Sequence, residues 1–218
     1  MLPNPQVRLI SHTVGSNGET IKDLVVYCAR VSNPQSQQEG LSIDRLWNYL
    51  KREKHWSPFE MVHVCLEINT TRAISRQLLR HRSFSFQEFS QRYADPTESL
   101  GFSFQEARLQ DHENRQNSLE TTDESLGRKW AAAQSHVKDV ALGSYIKALS
   151  LGIAKEQARS LLPEGLTNSR IYMTGSLRSW LHFIEVRGHE SAQKEIRHIA
   201  NECDTIIIEL IEGIGENQ

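Results

Sequence analysis

Cysteine is scarce: Cys28, Cys65 and Cys203 are the only three in 218 residues, and they stand far apart. None sits in a C-x-x-C pair or a Cys/His spacing, so neither a disulfide framework nor a zinc knuckle is supported, and a reducing cytoplasm is expected. Long apolar runs are missing too. The longest, Ile206-Ile207-Ile208 then Leu210-Ile211, is broken by Glu209 and is far short of the roughly 20 apolar residues of a membrane span. The opening MLPNPQVRLISH lacks an apolar leader core, which points away from export. No charge dominates: 25 Lys plus Arg against 27 Asp plus Glu leave −2. That balance excludes a generally basic nucleic-acid coat and an acidic tail protein, so any anion site is local, built from a few arginines placed together. Hydrophobic content of 38% is modest but above that of a disordered chain, and implies a folded domain that completes its core by oligomerising.

Periodicity divides the chain into elements within one domain, residues 1–218. Gln6 to Val14 reads as a strand ended by the turn cluster Gly15-Ser16-Asn17-Gly18. Ile21, Leu24, Val25 and Cys28 recur at helical spacing, and a second helix runs from Ser42, its N-cap, to Lys54. Met61 to Ile68 alternates as a strand, and Thr71 to Leu79 reads as a helix. Residues 95–127 are polar and turn-rich, an excursion within the domain rather than a linker. A long helix follows, with Trp130, Ala133, Val137, Val140, Ser144, Ala148 and Leu151 along one seam. Then come a short helix from Ala154 to Leu162, a strand over Arg170 to Thr174 and a helix from Ser176 to Val186. The last helix carries a second seam, Ala192, Ile196, Ile199, Cys203, Ile206 and Leu210. Two such seams imply helix packing within or between chains. The fold class is α+β, a helix-rich subunit with a small, mostly antiparallel sheet.

The densest charge is Arg72, Arg76, Arg80, His81 and Arg82. On a helix the first three form one cationic stripe, whose mutual repulsion a bound polyanion or plain solvent would relieve. In the following SFSFQEFSQRY, Phe84 and Phe86 alternate with Ser85 and Gln87, and the phase flips at Gln87-Glu88. A flip of this kind is what a bulge produces, and it would turn Glu88, Ser90 and Arg92 to one face. Arginine forks suit phosphate. A carboxylate suits a sugar hydroxyl or an imide N–H, so the combination favours a nucleotide over a nucleic-acid backbone.

Arg80-His81-Arg82 followed by seven residues and Ser90 resembles the RHR-x7-S signature of flavin-dependent thymidylate synthases. The resemblance extends to Ala29-Arg30-Val31-Ser32, His55-Trp56-Ser57-Pro58-Phe59-Glu60 and Arg159 with Leu162-Pro163. It continues through Ser176-Leu177-Arg178-Ser179, Phe183, Arg187, His189, Ala192-Gln193 and Glu195-Ile196. It implies a thymidylate synthase-complementing-protein-like subunit in a homotetramer whose sites are shared between chains. The implied reaction methylates dUMP to dTMP, with FAD as redox carrier, NADPH as reductant and methylenetetrahydrofolate as carbon donor. Carried over by position, Gln77, Arg80, Glu88, Ser90, Gln91, Arg92, Arg159 and Arg187 would contact dUMP. Ser57, Arg80, His81, Arg82, Glu88, Ser176, Arg178 and His182 would contact FAD. Arg187 would be the catalytic cation that activates the pyrimidine. Ser176 and His182 stand where the family pattern has Asn.

Helical geometry bears on the sharing of sites. Arg178 and His182 face one way, whereas Arg187, nine residues beyond Arg178, is turned by about 900°, half a turn out of phase. The two arginines then serve different copies of the site. Ser90 has no adjacent base to make it a nucleophile. All three cysteines read as core residues, which disfavours a cysteine mechanism. The histidines lack ligand spacing, so no metal is expected. Trp47, Trp56, Trp130 and Trp180 read as core or interface packing. Two rivals remain at this stage: a single-strand nucleic-acid module built on the arginines and Phe84, Phe86 and Phe89, and a flavoprotein acting on another nucleotide.

Overall fold

The computed structural model describes residues 6–39 and 42–213. Four antiparallel strands make the main sheet in the order β1-β2-β6-β3. They are β1 (Val7–His12), β2 (His63–Thr71), β6 (Asn168–Ser176) and β3 (Ser85–Glu88). Around them run α1 (Ile21–Ala29), α2 (Pro34–Glu39), α3 (Ile43–Arg52), α4 (Arg72–Leu78), α8 (Leu177–Arg187) and α9 (Lys194–Glu212). The excursion carries a short helix, α5 (Pro96–Ser99), and a hairpin of β4 (Arg108–Gln110) and β5 (Ser118–Glu120). The long α6 (Glu124–Ser150) and the short α7 (Lys155–Ala158) follow it.

The strand alternation is physical. Val64, Leu66 and Ile68 of β2, with Ile171 and Met173 of β6, point to one face and are buried. There they join Ile21 and Val25 of α1, Trp180 and Phe183 of α8, and Ile196, Ile199 and Cys203 of α9 in one core cluster. Cys65 takes the opposite parity and is half-buried, as is Cys28 on α1; of the three expected core cysteines, only Cys203 lies in the core. The α9 seam therefore packs within the chain. The α6 seam does so only at its Ala148 end: Trp130, Val137, Val140 and Leu151 are exposed. Tyr145, with Ala148 and Leu149, packs α6 against Ala158, Leu162 and Phe102, and Trp130 and Gln134 hydrogen-bond Gln105.

Several boundaries move for local reasons. Thr20 caps α1 in a reciprocal pair with Asp23. Ser42 does not cap α3 as expected: its backbone is left-handed at φ 57° and its side chain makes no capping bond. An ion pair of Lys22 with Asp44 ties the start of α3 to α1 instead. The long helix begins at Glu124 because Asp123 accepts from Leu126 N–H, which shortens the excursion at its far end. The expected helix over Ala154 to Leu162 divides into α7 and a 3-10 turn over Arg159–Leu161.

Gly175 in β6 lies directly under the ring of Phe84. A Cβ there would come within 2.5 Å of a Phe84 ring carbon. Phe84 also packs edge-on against Trp180, with centroids 4.8 Å apart. This contact seats the turn that carries residues 80–83. Gly175→Ala should cost about 1–3 kcal/mol through overpacking. Denaturant unfolding checks this, and an unchanged midpoint would contradict the close approach.

Candidate functional site

The expected residues gather in four groups around β3 and β6. The first lies where β2 begins and β6 ends. Ser57 opens the 3-10 turn Ser57–Met61. Ser176 leaves β6 and caps α8 by accepting from Ser179 N–H. Arg178 Nη1 donates to Glu60 Oε1 at 2.9 Å. Hydrogen bonds from Ser176 and Arg178 outweigh burial and hold the Glu60 carboxyl below its usual range. Glu60 was not among the expected contacts, although it ends the quoted His55–Glu60 block. His182 projects from the same helix, exposed, 3.9 Å from Glu185.

The second group is the turn between α4 and β3. α4 stops at Leu78, so Arg80 lies beyond it and the expected three-arginine stripe is cut to two. Arg80 and Arg82 are exposed and make no ion pair among the described residues. His81 packs edge-on against Phe183, with centroids 5.0 Å apart. Its Nε2 accepts a 2.9 Å hydrogen bond from Arg187 Nε. Burial, then Arg187, His182 and Arg80, push the His81 pKa from 6.5 down to about 4. Burial and Arg80 lower that of Arg187 in turn. Arg178 and Arg187 thus meet different partners at opposite ends of α8, as the helical phase requires.

The third group surrounds Glu88. β3 pairs with β6 without a register shift, from Ser85↔Thr174 to Glu88↔Ile171. The expected bulge is absent: the phase flip marks the end of the strand, where residues 90–93 turn. The register shift in this sheet falls in β1, between Leu9 and Ser11. Glu88 therefore continues the face of Phe86 and does not join Ser90 and Arg92. Its Oε1 accepts from Ser75 Oγ at 2.7 Å and Ser169 Oγ at 2.8 Å, with Arg72 Nη1 at 3.7 Å. The first turn of α4 bonds back to the preceding loop of β6, Arg72 N–H to Thr167 O and Ala73 N–H to Glu164 O. That seats Glu164 against Arg76 at 2.8 Å and Arg72 at 3.8 Å. The chain's own carboxylates relieve the stripe's repulsion.

The fourth group is an open cleft of about 360 Å³ lined by Ser90, Arg92, Tyr93, Ala154, Lys155 and Glu156. Arg92 Nη2 lies 3.0 Å from Glu156 Oε2, and Arg159 Nε donates to Glu156 O. Gln91 is buried, and its Nε2 has no hydrogen-bond partner among the described residues. Gln77 stands apart and donates to Gln193 Oε1 at 2.8 Å. A larger cleft, about 720 Å³, lies between the end of β2, residues 102–106 and α9, and none of the expected residues lines it. Sequence reading missed Glu60, Glu156 and Glu164, the acids that fix the arginines. Each arrives from a distant segment, and only Glu60 lies in a recognisable block.

The chain belongs to the thymidylate synthase complementing protein family, whose profile matches residues 8–211. Two relatives are named as flavin-dependent thymidylate synthases. One, from Synechocystis, is 50% identical over 199 residues, covering 89% of this chain and 90% of the relative. The other, from Paramecium bursaria Chlorella virus 1 and named as probable, is 44% identical over 211 residues, 96% of each chain. Among solved structures, a UMP/dUMP methylase PolB from Streptomyces cacaoi bound with 5-Br dUMP superposes with a TM-score of 0.77 at 28% identity. It covers 94% of this chain and 90% of that one.

Neutral His81 is what lets Nε2 accept from Arg187. Its pKa is depressed in the fold, so the unfolded chain binds more protons between pH 6.5 and about 4. Stability from this group is present above pH 6.5 and is lost as pH falls through that window. In His81→Gln the decline in unfolding free energy from pH 6.5 to pH 4 should be shallower, read by denaturant titration at each pH. An identical slope would contradict the assignment.

Proposed function

We propose that this protein is a cytoplasmic enzyme that reductively methylates dUMP to dTMP, taking the carbon from methylenetetrahydrofolate and using FAD as redox carrier and NADPH as reductant. The observation that carries the reading is the pair of cations Arg80 and Arg187 beside neutral His81, neither in an ion pair among the described residues, where Arg80 and His81 open the RHR-x7-S segment. Arg72, Arg76, Arg92 and Arg178 are matched by carboxylates, which weakens the nucleic-acid reading built on these arginines, because a backbone track needs their charge free.

The residues suit a flavin nucleotide. Arg80 and Arg82, in no ion pair among the described residues, offer forks to a pyrophosphate, and Ser57, Ser176, Arg178 and His182 would be its further contacts. Bound there, the flavin would supply hydride chemistry. For dUMP, Ser90 and Arg92 line the open cleft, with Arg159, held by Glu156 O, and Gln77, Arg80, Gln91 and Glu88 as further contacts. Arg187 presents a permanent cation to the pyrimidine oxygen on which negative charge develops. A cysteine nucleophile is disfavoured, because burial raises the pKa of both Cys65 and Cys203, away from thiolate.

We read the site as shared within a homotetramer. The four groups do not close into one pocket in a single chain, and α6 leaves Val137, Val140 and Leu151 exposed along one seam. Val137→Asp with Val140→Asp should lower the mass read by light scattering and remove activity together. A variant that stays tetrameric removes α6 from the interface.

The purified protein should be yellow, or take up FAD on mixing, and bleach on anaerobic reduction with NADPH. Arg187→Ala should abolish dTMP formation, a loss of at least about 100-fold, while flavin absorbance is retained. Loss of flavin instead would reassign Arg187 to the cofactor.

A further inference from the structure

Glu88 is held in an asymmetric way that its place on the strand does not require. Both hydrogen bonds fall on Oε1, from Ser75 Oγ at 2.7 Å and Ser169 Oγ at 2.8 Å. Oε2 has no hydrogen-bond partner among the described residues. Ser75 and Ser169 are themselves buried, at 0% and 2% exposure, and come from different elements, α4 and β6. A hydroxyl inside a short helix normally bonds back to its own backbone or to solvent. Ser75 instead points across to the end of β3. A carboxylate offers about two acceptor positions per oxygen, so two hydroxyl donors fill Oε1 and leave the positions of Oε2 open.

We propose that Ser75 and Ser169 are positioning residues: their hydroxyls pin Oε1 of Glu88 so that Oε2 is presented to a donor group of the bound nucleotide, a sugar hydroxyl or an imide N–H. This rests on the reading that Glu88 meets the nucleotide. The arrangement lowers the cost of binding by fixing the acceptor before the ligand arrives. Arg72, 3.7 Å away, supplies charge without taking Oε2.

The test is a double-mutant cycle on FAD-loaded enzyme, with dUMP affinity read by calorimetry and folding checked by thermal melting. Ser75→Ala with Ser169→Ala should weaken dUMP binding roughly tenfold, and the single variants should weaken it less. Ser169→Thr, which keeps the hydroxyl, should stay within about twofold of the parent. Added to Glu88→Gln, the two serine changes should have almost no further effect, because their role runs through the carboxylate. A weakened Glu88→Gln beside a serine double variant of parental affinity overturns the positioning role alone. So does a triple variant in which the two losses multiply. A Glu88→Gln enzyme that binds dUMP as the parent does overturns the reading that Glu88 meets the nucleotide. If the double variant melts below assay temperature, each single serine variant is placed in the same cycle with Glu88→Gln and judged by the same outcomes.

Discussion

β6 is hydrogen-bonded on both edges, and the site hangs from that double pairing. Its register with β2 runs unbroken from Ser176↔His63 to Asn168↔Thr71. No loop separates strand from helix at either far end: β6 passes into α8 at Leu177, and β2 into α4 at Arg72. The register therefore sets where Ser75, Gln77, Arg178 and Arg187 stand relative to Glu88. A slip of one residue would send Ile171 and Met173 to the open face and carry Ser169 away from Glu88. Burial of the apolar face thus fixes the polar geometry, and the site needs little local stabilisation of its own.

Electrostatics then separates arginines that build the scaffold from those left for chemistry. Arg72 and Arg76 share Glu164, Arg92 meets Glu156, and Arg178 meets Glu60. Such partly exposed pairs contribute about 0–1 kcal/mol each, so their value is in aim rather than stability. Arg187 is different. Its guanidinium is partly desolvated beside another cation, and it leans on an imidazole that must stay neutral. A partly desolvated cation beside another cation is a perturbed pair of the kind that clusters at functional sites.

Much of the fold was legible because burial imposes periods. The alternation of Val64, Leu66 and Ile68 and the Ile196, Ile199 and Cys203 seam located the sheet and α9 correctly. The signature Arg80-His81-Arg82…Ser90 located the cationic turn. The errors share a cause. A phase flip at Gln87-Glu88 has the same sequence whether the strand bulges or ends. The Ser75 and Ser169 hydroxyls and the Arg72 guanidinium, all from other elements, make a carboxylate acceptable on the face Phe86 occupies. Glu60, Glu156 and Glu164 were illegible as partners for the same reason, since an ion pair across 60 or more residues leaves no local pattern. Ser42 looked like a cap, but a left-handed backbone and the Lys22–Asp44 pair set that helix end.

The spacing of α8 ties these observations to the proposed assembly. Arg178 and Arg187 stand nine residues apart, so their Cα atoms are separated by about 13 Å along the axis, on opposite sides of the helix. Glu60 draws one toward the start of β2, and His81 draws the other toward the end of α4. A single flavin nucleotide is long enough to touch both regions, but a pyrimidine monophosphate is not. If Arg187 serves the pyrimidine while Ser90, Arg92 and Arg159 hold its phosphate across the sheet, one chain cannot close around one molecule. In the proposed assembly the exposed α6 seam would be the apolar surface through which a second copy completes it. On this reading the openness of each group in the isolated chain is the geometry of a fraction of a site, finished by neighbours.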